Sequence, residues 1–230
     1  ILNSSNLSVS KAANILKDGG LAVDRVASII SDASLAANRA ANILDNANLV
    51  QSRIADILLS ANMSPSKGNE ISQYSSRVLF EECVDDPTAA GRATFSATDA
   101  NFSGSYNATD KRYEISFPSS TSLGGGNYGA LSFAKAKTLT NPRVILKYYD
   151  GISPTTAGFW FAQVVIGGTV VHERDLATYP SDGYTGDVED DITYSGSFTD
   201  AVVEFRLALK RSITNYAAKV GLYRLIIVGE

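Results

Sequence analysis

Few side chains in this sequence are suited to acid–base, nucleophilic or metal chemistry. The only histidine is His172 and the only cysteine is Cys83, so a Ser-His-Asp triad would need His172. A site with several histidine ligands cannot form within one chain. His172 lies in the stretch TVVHERD, where Glu173 or Asp175 could orient it as a base, or where it is simply a partly packed strand residue. We favour the second interpretation and predict no catalytic residue, no metal ligand and no cofactor.

A second group of chemically capable side chains is an acidic run, which the sequence places in a loop before a strand. Its members are Asp187, Glu189, Asp190 and Asp191. Three interpretations are open: a solvated loop, a Ca²⁺ site built from several oxygen ligands, or a carboxylate pair that hydrolyses a glycosidic bond. The run lacks the Asp-x-Asp-x-Asp-Gly spacing of an EF-hand loop.

Tyrosines and polar side chains are concentrated in two glycine-containing stretches. An aromatic ring beside Asp, Asn or main-chain donors is suited to binding a sugar, and loops on a rigid scaffold commonly carry binding residues. The predicted ligand-binding residues are Tyr179, Asp182, Tyr184, Asp187 and Tyr194 in ATYPSDGYTGDVEDDITY (177–194), with Asn127 and Tyr128 in GGGNYG (124–129). The alternative is that these tyrosines only pack the loops. Trp160 lies in a run that is apolar on both faces, and we expect it in the core.

These stretches belong to residues 73–230, which read as an all-β domain. Short runs of β-branched and aromatic residues alternate with turn signals such as Asp150-Gly151 and Gly167-Gly168. In VVEFRLALKR every second side chain is apolar, which indicates a strand with one buried face. Gly167-Gly168 between two such runs predicts a hairpin turn. The pattern predicts an antiparallel sandwich or jelly roll that forms a head domain.

Residues 1–72 have a different composition and contain a 14-residue repeat, without an aromatic residue in 7–62. Leucine recurs at Leu7, Leu21, Leu35 and Leu49. A basic residue recurs at Lys11, Arg25, Arg39 and Arg53, and isoleucine at Ile15, Ile29, Ile43 and Ile57. The segment MSPSKGNEISQYSS (63–76) is a degenerate further unit that ends the repeat, because Pro65 and Gly68 disfavour helix continuation.

Two structures fit this period. One is a continuous helix, because 14 residues are two heptads and the stripe through Ala36, Ala40, Ile43 and Ala47 continues from unit to unit. The other is a stack of short helices, which explains better why the repeated leucines fall near the polar side of a coil. We favour the continuous helix and predict a coiled-coil stalk. Its broad apolar face favours a parallel homotrimer.

Bulk properties narrow the classes of function. The net charge is -4 and the pI about 5.1, which disfavours nucleic acid as a partner. No apolar run reaches the roughly 18 residues of a membrane span, so we expect no membrane insertion. The chain starts at ILNSSNL, which is similar to the repeat tail ILDNANL at 43–49, and from this we expect further units upstream.

A repetitive stalk followed by a β-sandwich head resembles the distal part of attachment fibres of phages or archaeal viruses, although no residue motif carries the resemblance. The resemblance implies a receptor-binding or adhesive tip at a virion or cell surface, outside the cell. The stalk would oligomerise, and the head would bind a host-surface glycan or protein without being an enzyme, weak single sites being reinforced by several copies. Two alternatives stay open: a carbohydrate-active enzyme module that uses the acidic run, and a purely structural virion or surface component.

Overall fold

The computed structural model describes residues 7–18, 21–118, 122–151, 159–176, 186–214 and 217–230. Five helices of eight or nine residues open this part of the chain, one for each repeat unit. They are α1 (Val9–Lys17), α2 (Val23–Ile30), α3 (Ala37–Leu44), α4 (Gln51–Leu59) and α5 (Pro65–Ser72). None of the described helices is long and apolar enough to cross a membrane.

A tight turn separates each helix from the next, and the repeated leucine lies in that turn. The backbone N–H of Leu35 donates to the carbonyl of Asp32, and Leu21, Leu49 and Met63 repeat this bond in their own units. Leu35 and Leu49 are buried. The predicted continuous coiled coil is therefore wrong, and the predicted homotrimer loses the helical seam on which it depended. The physical reason is that the leucine closes the turn and packs beneath it, where a continuous helix would expose it.

The helices stack with every second unit in contact. α1 packs on α3, α2 on α4, and α3 on α5, so the five helices form an array of two interleaved columns. The buried positions repeat at 14-residue spacing: Ala13, Ala27, Ala41 and Ala55 in one series, and Leu16, Ile30, Leu44 and Leu58 in another. Since isolated helices of this length are marginal in water, packing of these faces holds the array together.

The elements in the rest of the described chain are β-strands, and their pairings are antiparallel. The strands are β1 (Val78–Glu82), β2 (Ala93–Ala97), β3 (Ser103–Asn107), β4 (Arg112–Phe117), β5 (Ser122–Leu123), β6 (Tyr128–Phe133), β7 (Lys137–Thr140), β8 (Arg143–Asp150), β9 (Trp160–Ile166), β10 (Thr169–Asp175), β11 (Gly186–Thr193), β12 (Ser197–Ala201), β13 (Val203–Leu209), β14 (Ile213–Thr214) and β15 (Ala218–Val228). The predicted hairpin is present, since β9 pairs with β10 across Gly167 and Gly168, both at positive φ.

Two sheets face each other as a sandwich, as the alternating sequence predicts. The first sheet has the order β11-β8-β15-β4-β3, and β1 also pairs with β15, along the half of that strand that β4 leaves free. The second sheet has the order β10-β9-β13-β6-β2. Two-stranded ribbons, β12 with β7 and β14 with β5, complete the described pairing.

The sandwich core lies between the two sheets and is centred on aromatic rings. Trp160 is fully buried, as predicted, and contacts Phe117 and Phe102 at centroid distances of 5.2 and 6.0 Å. Tyr148 of the first sheet meets Phe205 of the second at 6.2 Å. Every second side chain of the strands in both sheets points into this core. This is why apolar residues alternate with polar ones in the sequence of a strand such as VVEFRLALKR.

A second apolar cluster joins the helical array to the outer side of the first sheet. Val78 and Phe80 of β1 and Ile226 and Val228 of β15 are buried in the same cluster as the helices. Gly68 of α5 lies directly against Phe80. The domain boundary predicted at residue 72 stays a prediction, and apolar packing is continuous across it.

Candidate functional site

The outer face of the second sheet combines aromatic, amide and charged side chains. We call it the Tyr128 face and define it by Tyr128, Phe161, Gln163, Glu173, Glu204, Arg206 and Lys210. The strand register places three residues side by side in one row across the sheet, because Ala208 of β13 pairs with both Tyr128 of β6 and Phe161 of β9. Neighbouring strands lie ~4.8 Å apart, so the backbones of Tyr128 and Phe161 are separated by roughly 10 Å, with the small Ala208 on the strand between them.

Each ring on this face is stacked with a cation. The guanidinium carbon of Arg206 lies 3.9 Å from the ring centroid of Tyr128. The ammonium of Lys210 lies 4.5 Å from the centroid of Phe161. Both rings are partly exposed. The cations help to fix the orientation of the two partly exposed rings.

The residues next to the rings form two hydrogen-bonded groups, one around Glu204 and one around Glu173. Glu204 accepts hydrogen bonds from Arg206 and, at 3.0 Å, from Ser132. Glu173 accepts from Lys210 and, at 2.6 Å, from Gln163. Each of these carboxylates is thus paired with one cation, and Asp175, which the register places opposite Phe161, adds a third carboxylate. The described face has many donors and acceptors and no excess of positive charge, which suits a neutral polar ligand better than an anionic one.

The glycine-rich loop 124–129 positions Tyr128 at one end of this face. A Cβ on Gly125 would come within 2.4 Å of the carbonyl oxygen of Lys210, so only glycine lets the loop approach the end of β13. Asn127 donates from its amide to the carbonyl of Gly124 at 2.9 Å, and its own carbonyl accepts from the N–H of Leu209. Asn127 thus holds the loop in place, and Tyr128 is the side chain that the loop presents.

Of the remaining predicted ligand-binding residues, those that the structure describes do not gather around Tyr128. Tyr179, Asp182 and Tyr184 lie outside the described residues. Tyr194 packs on Phe198 with a centroid distance of 5.8 Å, at the edge of the sandwich core. Asp187 is on β11, which belongs to the first sheet. Among the described residues, the predicted set is therefore divided between different parts of the sandwich.

The acidic run lies on strand β11, so the predicted loop is wrong at these positions. Asp187, Glu189 and Asp191 alternate with Asp190 along the strand. Asp191 pairs with Arg143 at 2.7 Å, and this bond holds the pKa of the Asp191 carboxyl below its ordinary value. Glu189 is 3.3 Å from Lys147. The alternation points neighbouring carboxylates to opposite sides of the sheet.

Asp190 ties the edges of the two sheets together. It lies 3.0 Å from His172 Nε2 and 2.7 Å from Arg174 Nη1, both on β10 of the second sheet. The side chains of His172 and Asp190 are largely buried. His172 is thus a partly packed strand residue that contacts the neighbouring edge strand, and its lack of a catalytic role stays a prediction.

Sequence reasoning missed most of the Tyr128 face. Phe161, Gln163, Glu173, Glu204 and Arg206 were visible only as outward positions of alternating strands. Glu204 and Arg206 are 72 or more residues from Ser132 and Tyr128 in the chain, and only the strand register brings them together. The available signal was the polar half of VVEFRLALKR, which marks an exposed sheet face but does not name its neighbours.

No known protein family matches the sequence, and no curated protein matches it. Several solved structures are similar in fold. A xylan-binding module of family CBM15 has a TM-score of 0.42 at 13% identity, over 67% of this chain and 97% of that one. The C-terminal CBM6 of LamC from Zobellia galactanivorans has a TM-score of 0.33 at 11% identity, over 66% and 98%.

An arabinose-bound α-L-arabinofuranosidase, MgGH51, has a TM-score of 0.41 at 8% identity, over 69% of this chain and 27% of that one. Identities and TM-scores this low carry no functional conclusion for this chain. A function therefore has to be inferred from the described side chains of the protein itself.

Proposed function

We propose that the sandwich is a carbohydrate-binding module whose ligand lies along the Tyr128 face. The observation that supports this most directly is the pair of partly exposed rings, Tyr128 and Phe161, on either side of Ala208. An aromatic ring offers a flat apolar surface to the C–H groups of a pyranose. Two such rings in one row suit a chain of sugars better than a single sugar.

The polar rows beside the rings supply the second requirement of sugar recognition. Sugar hydroxyls both donate and accept, and they match a surface on which carboxylate, guanidinium and amide groups alternate. Glu204, Arg206 and Gln163 form such a surface next to the rings. Because the described part of this face has no excess of cations over carboxylates, we assign it a neutral polysaccharide in preference to a sulfated or uronic one.

In this proposal the chain acts as an adhesive module and not as an enzyme. It keeps the glycan-binding part of the fibre-tip hypothesis and does without an oligomeric stalk. The protein would act outside a cell, where polysaccharide surfaces are available. The proposal holds equally for a virion and for a cell surface as the carrier.

The test is binding of the full chain to a panel of neutral polysaccharides, namely xylan, galactan, arabinan and β-glucan, with heparin as the charged comparison. Isothermal titration should show affinity for at least one neutral glycan. Tyr128→Ala and Phe161→Ala should each weaken it at least tenfold. Tyr74→Ala is the matched control, because Tyr74 is 56% exposed and lies beyond the end of α5, away from this face.

Buried Trp160 provides the folding control, since its fluorescence should be unchanged in all three variants. Wild-type affinity in both face variants would place the ligand elsewhere, and binding to heparin alone would overturn the assignment of a neutral glycan. Release of reducing sugar that is lost in Asp187→Asn or Asp190→Asn would replace the proposal with the enzyme alternative.

A further inference from the structure

The helical array repeats one side-chain bond as regularly as it repeats its sequence. In the third, fourth and fifth units, the basic residue donates a hydrogen bond to the carbonyl of the leucine that lies 32 residues earlier. That leucine is in the turn before the helix two units back, in the same column. The bonds are Arg39 to Leu7 at 2.6 Å, Arg53 to Leu21 at 2.5 Å and Lys67 to Leu35 at 2.6 Å. Such a bond satisfies a turn carbonyl that has no helical partner and ties each unit to the unit two places before it.

The first two units contain the same repeated residues, but these residues are more exposed than their equivalents in the later units. Lys11 and Arg25 are exposed, whereas Arg39, Arg53 and Lys67 are partly buried. Ile43 and Ile57 are fully buried, whereas Ile15, at the equivalent position, is 48% exposed. Leu7 and Leu21 are likewise less buried than Leu35 and Leu49. The open end of the array therefore presents the same chemistry as its internal interfaces.

We propose that this end face, defined by Leu7, Lys11, Ile15, Leu21 and Arg25, is a docking surface for two further units of the same repeat, held in covalent continuity with α1. The surface is continuous with the interfaces of the array and has the same spacing of isoleucine, leucine and basic side chain. An incoming pair of units would cover Ile15 and receive the hydrogen bonds of Lys11 and Arg25 on its leucine carbonyls.

A second copy of the chain matches this surface less well than contiguous units do. The carbonyls of Leu7, Leu21 and Leu35 accept from the basic residues of later units, and the carbonyl of Leu49 accepts from Arg77 at 3.2 Å. The far end of the array is packed on the first sheet. In a second copy, these four repeat leucines already accept hydrogen bonds within their own chain, whereas the leucines of added units would not, and we therefore assign the surface to contiguous units.

The test is an extended chain in which residues 21–48 are repeated directly ahead of Leu7. This places a leucine 32 positions before both Lys11 and Arg25. Amide hydrogen exchange in α1 and α2 should slow at least tenfold relative to the unextended chain, and the melting temperature should rise by several degrees. Unchanged exchange in both helices would overturn the proposal.

Matched variants keep the test specific to this surface. Ile15→Ser should have little effect in the unextended chain, because Ile15 is half exposed, but should remove most of the protection gained in the extended chain. Asn14→Ser, on the neighbouring exposed position, should leave that gain intact. Dimerisation of the unextended chain that Ile15→Ser abolishes would overturn the assignment to contiguous units.

Discussion

At the scale of single residues, the least expected side chain is a buried lysine at the junction of the two parts. The ammonium of Lys137 donates to the carbonyls of Ser72 and Ser75 at 2.6 and 2.8 Å, just beyond the end of α5. Its side chain has no exposed surface. Burial lowers the pKa of Lys137 from 10.5 to about 7, and the nearby Asp45 opposes this shift only in part.

The first prediction concerns the effect of this pKa on stability. In the unfolded chain Lys137 keeps its proton up to pH 10.5, whereas in the folded chain it loses the proton from about pH 7. Protons are then bound preferentially by the unfolded state, so the free energy of unfolding should rise between pH 7 and 10, by at most about 1.4 kcal/mol per pH unit. Urea titrations at several pH values measure it, and Lys137→Met should flatten the rise.

Other groups work in the opposite direction. Burial raises the pKa of the hydroxyls of Tyr106, Tyr113, Tyr148 and Tyr223, whose effect begins near their ordinary pKa of 10.0, and that of the Cys83 thiol, whose effect falls inside the measured range. Burial raises the pKa of the Cys83 thiol above its ordinary 9.0, so the unfolded state loses that proton first and stability falls as the pH rises. Both chains should therefore carry Cys83→Ala. An equal pH slope with and without Lys137 would contradict the assignment.

At the scale of elements, local chemistry predicted the strands well and the helical part poorly. Gly167-Gly168 and the alternation of VVEFRLALKR are local signals, and the hairpin and strand they indicate are present. A period of 14 residues, by contrast, fits two heptads of a continuous helix as well as it fits one short helix with its turn. The feature that separates them is Leu35 or Leu49, which a long helix exposes and a turn buries.

The candidate site was predictable only in part for a related reason. Composition indicated Tyr128, because a glycine-rich loop with an aromatic residue is a local pattern. Phe161 and Arg206 join it through strand pairing across β13, which no local pattern specifies. For Asp187 the local pattern was misleading. The acidic run predicted a solvated loop, but its residues alternate along strand β11.

The second prediction concerns the contact between α5 and β1. A Cβ on Gly68 would lie 2.5 Å from two ring carbons of Phe80. Alanine is intrinsically the better helix former by about 1 kcal/mol, yet here the clash should prevail, and Gly68→Ala should lower the free energy of unfolding by about 1–3 kcal/mol. Urea denaturation measures it.

Phe80→Leu provides the control background, because a smaller side chain leaves room for the added methyl. The cost of Gly68→Ala should shrink or reverse there, as a double-mutant cycle would show. The same cost in both backgrounds would mean that the strain does not come from Phe80.

At the scale of the whole molecule, the array and the sandwich share apolar packing and should unfold together. The third prediction uses the fact that Trp160 is the only tryptophan and is buried in the sandwich core, so its fluorescence reports that part. Circular dichroism at the helix band reports the array. The two urea transitions should coincide in the wild type.

Phe80→Ala should separate these transitions, because Phe80 of β1 is buried in the same apolar cluster as the helices. The helical signal should then be lost at lower urea than the fluorescence signal. Transitions that are already separate in the wild type would show that the shared packing is too weak to couple the two parts.

Along one side, β15 pairs with β4 over its first half and with β1 over its second half, and this arrangement has a mechanical consequence. β1 runs antiparallel to the second half of β15, so Val78 lies opposite Val228, and a pull between the array and residue 230 would load this ladder at one end. Bonds loaded in that way open one after another instead of sharing the force. Gln51 donates to the carbonyl of Val228 at 2.7 Å, and Arg77 donates to that of Gly229 at 3.1 Å, at the end where such peeling would start. These two side-chain bonds, with the backbone bond from the N–H of Gly229 to the carbonyl of Arg77, therefore hold the end of the ladder at which opening would begin.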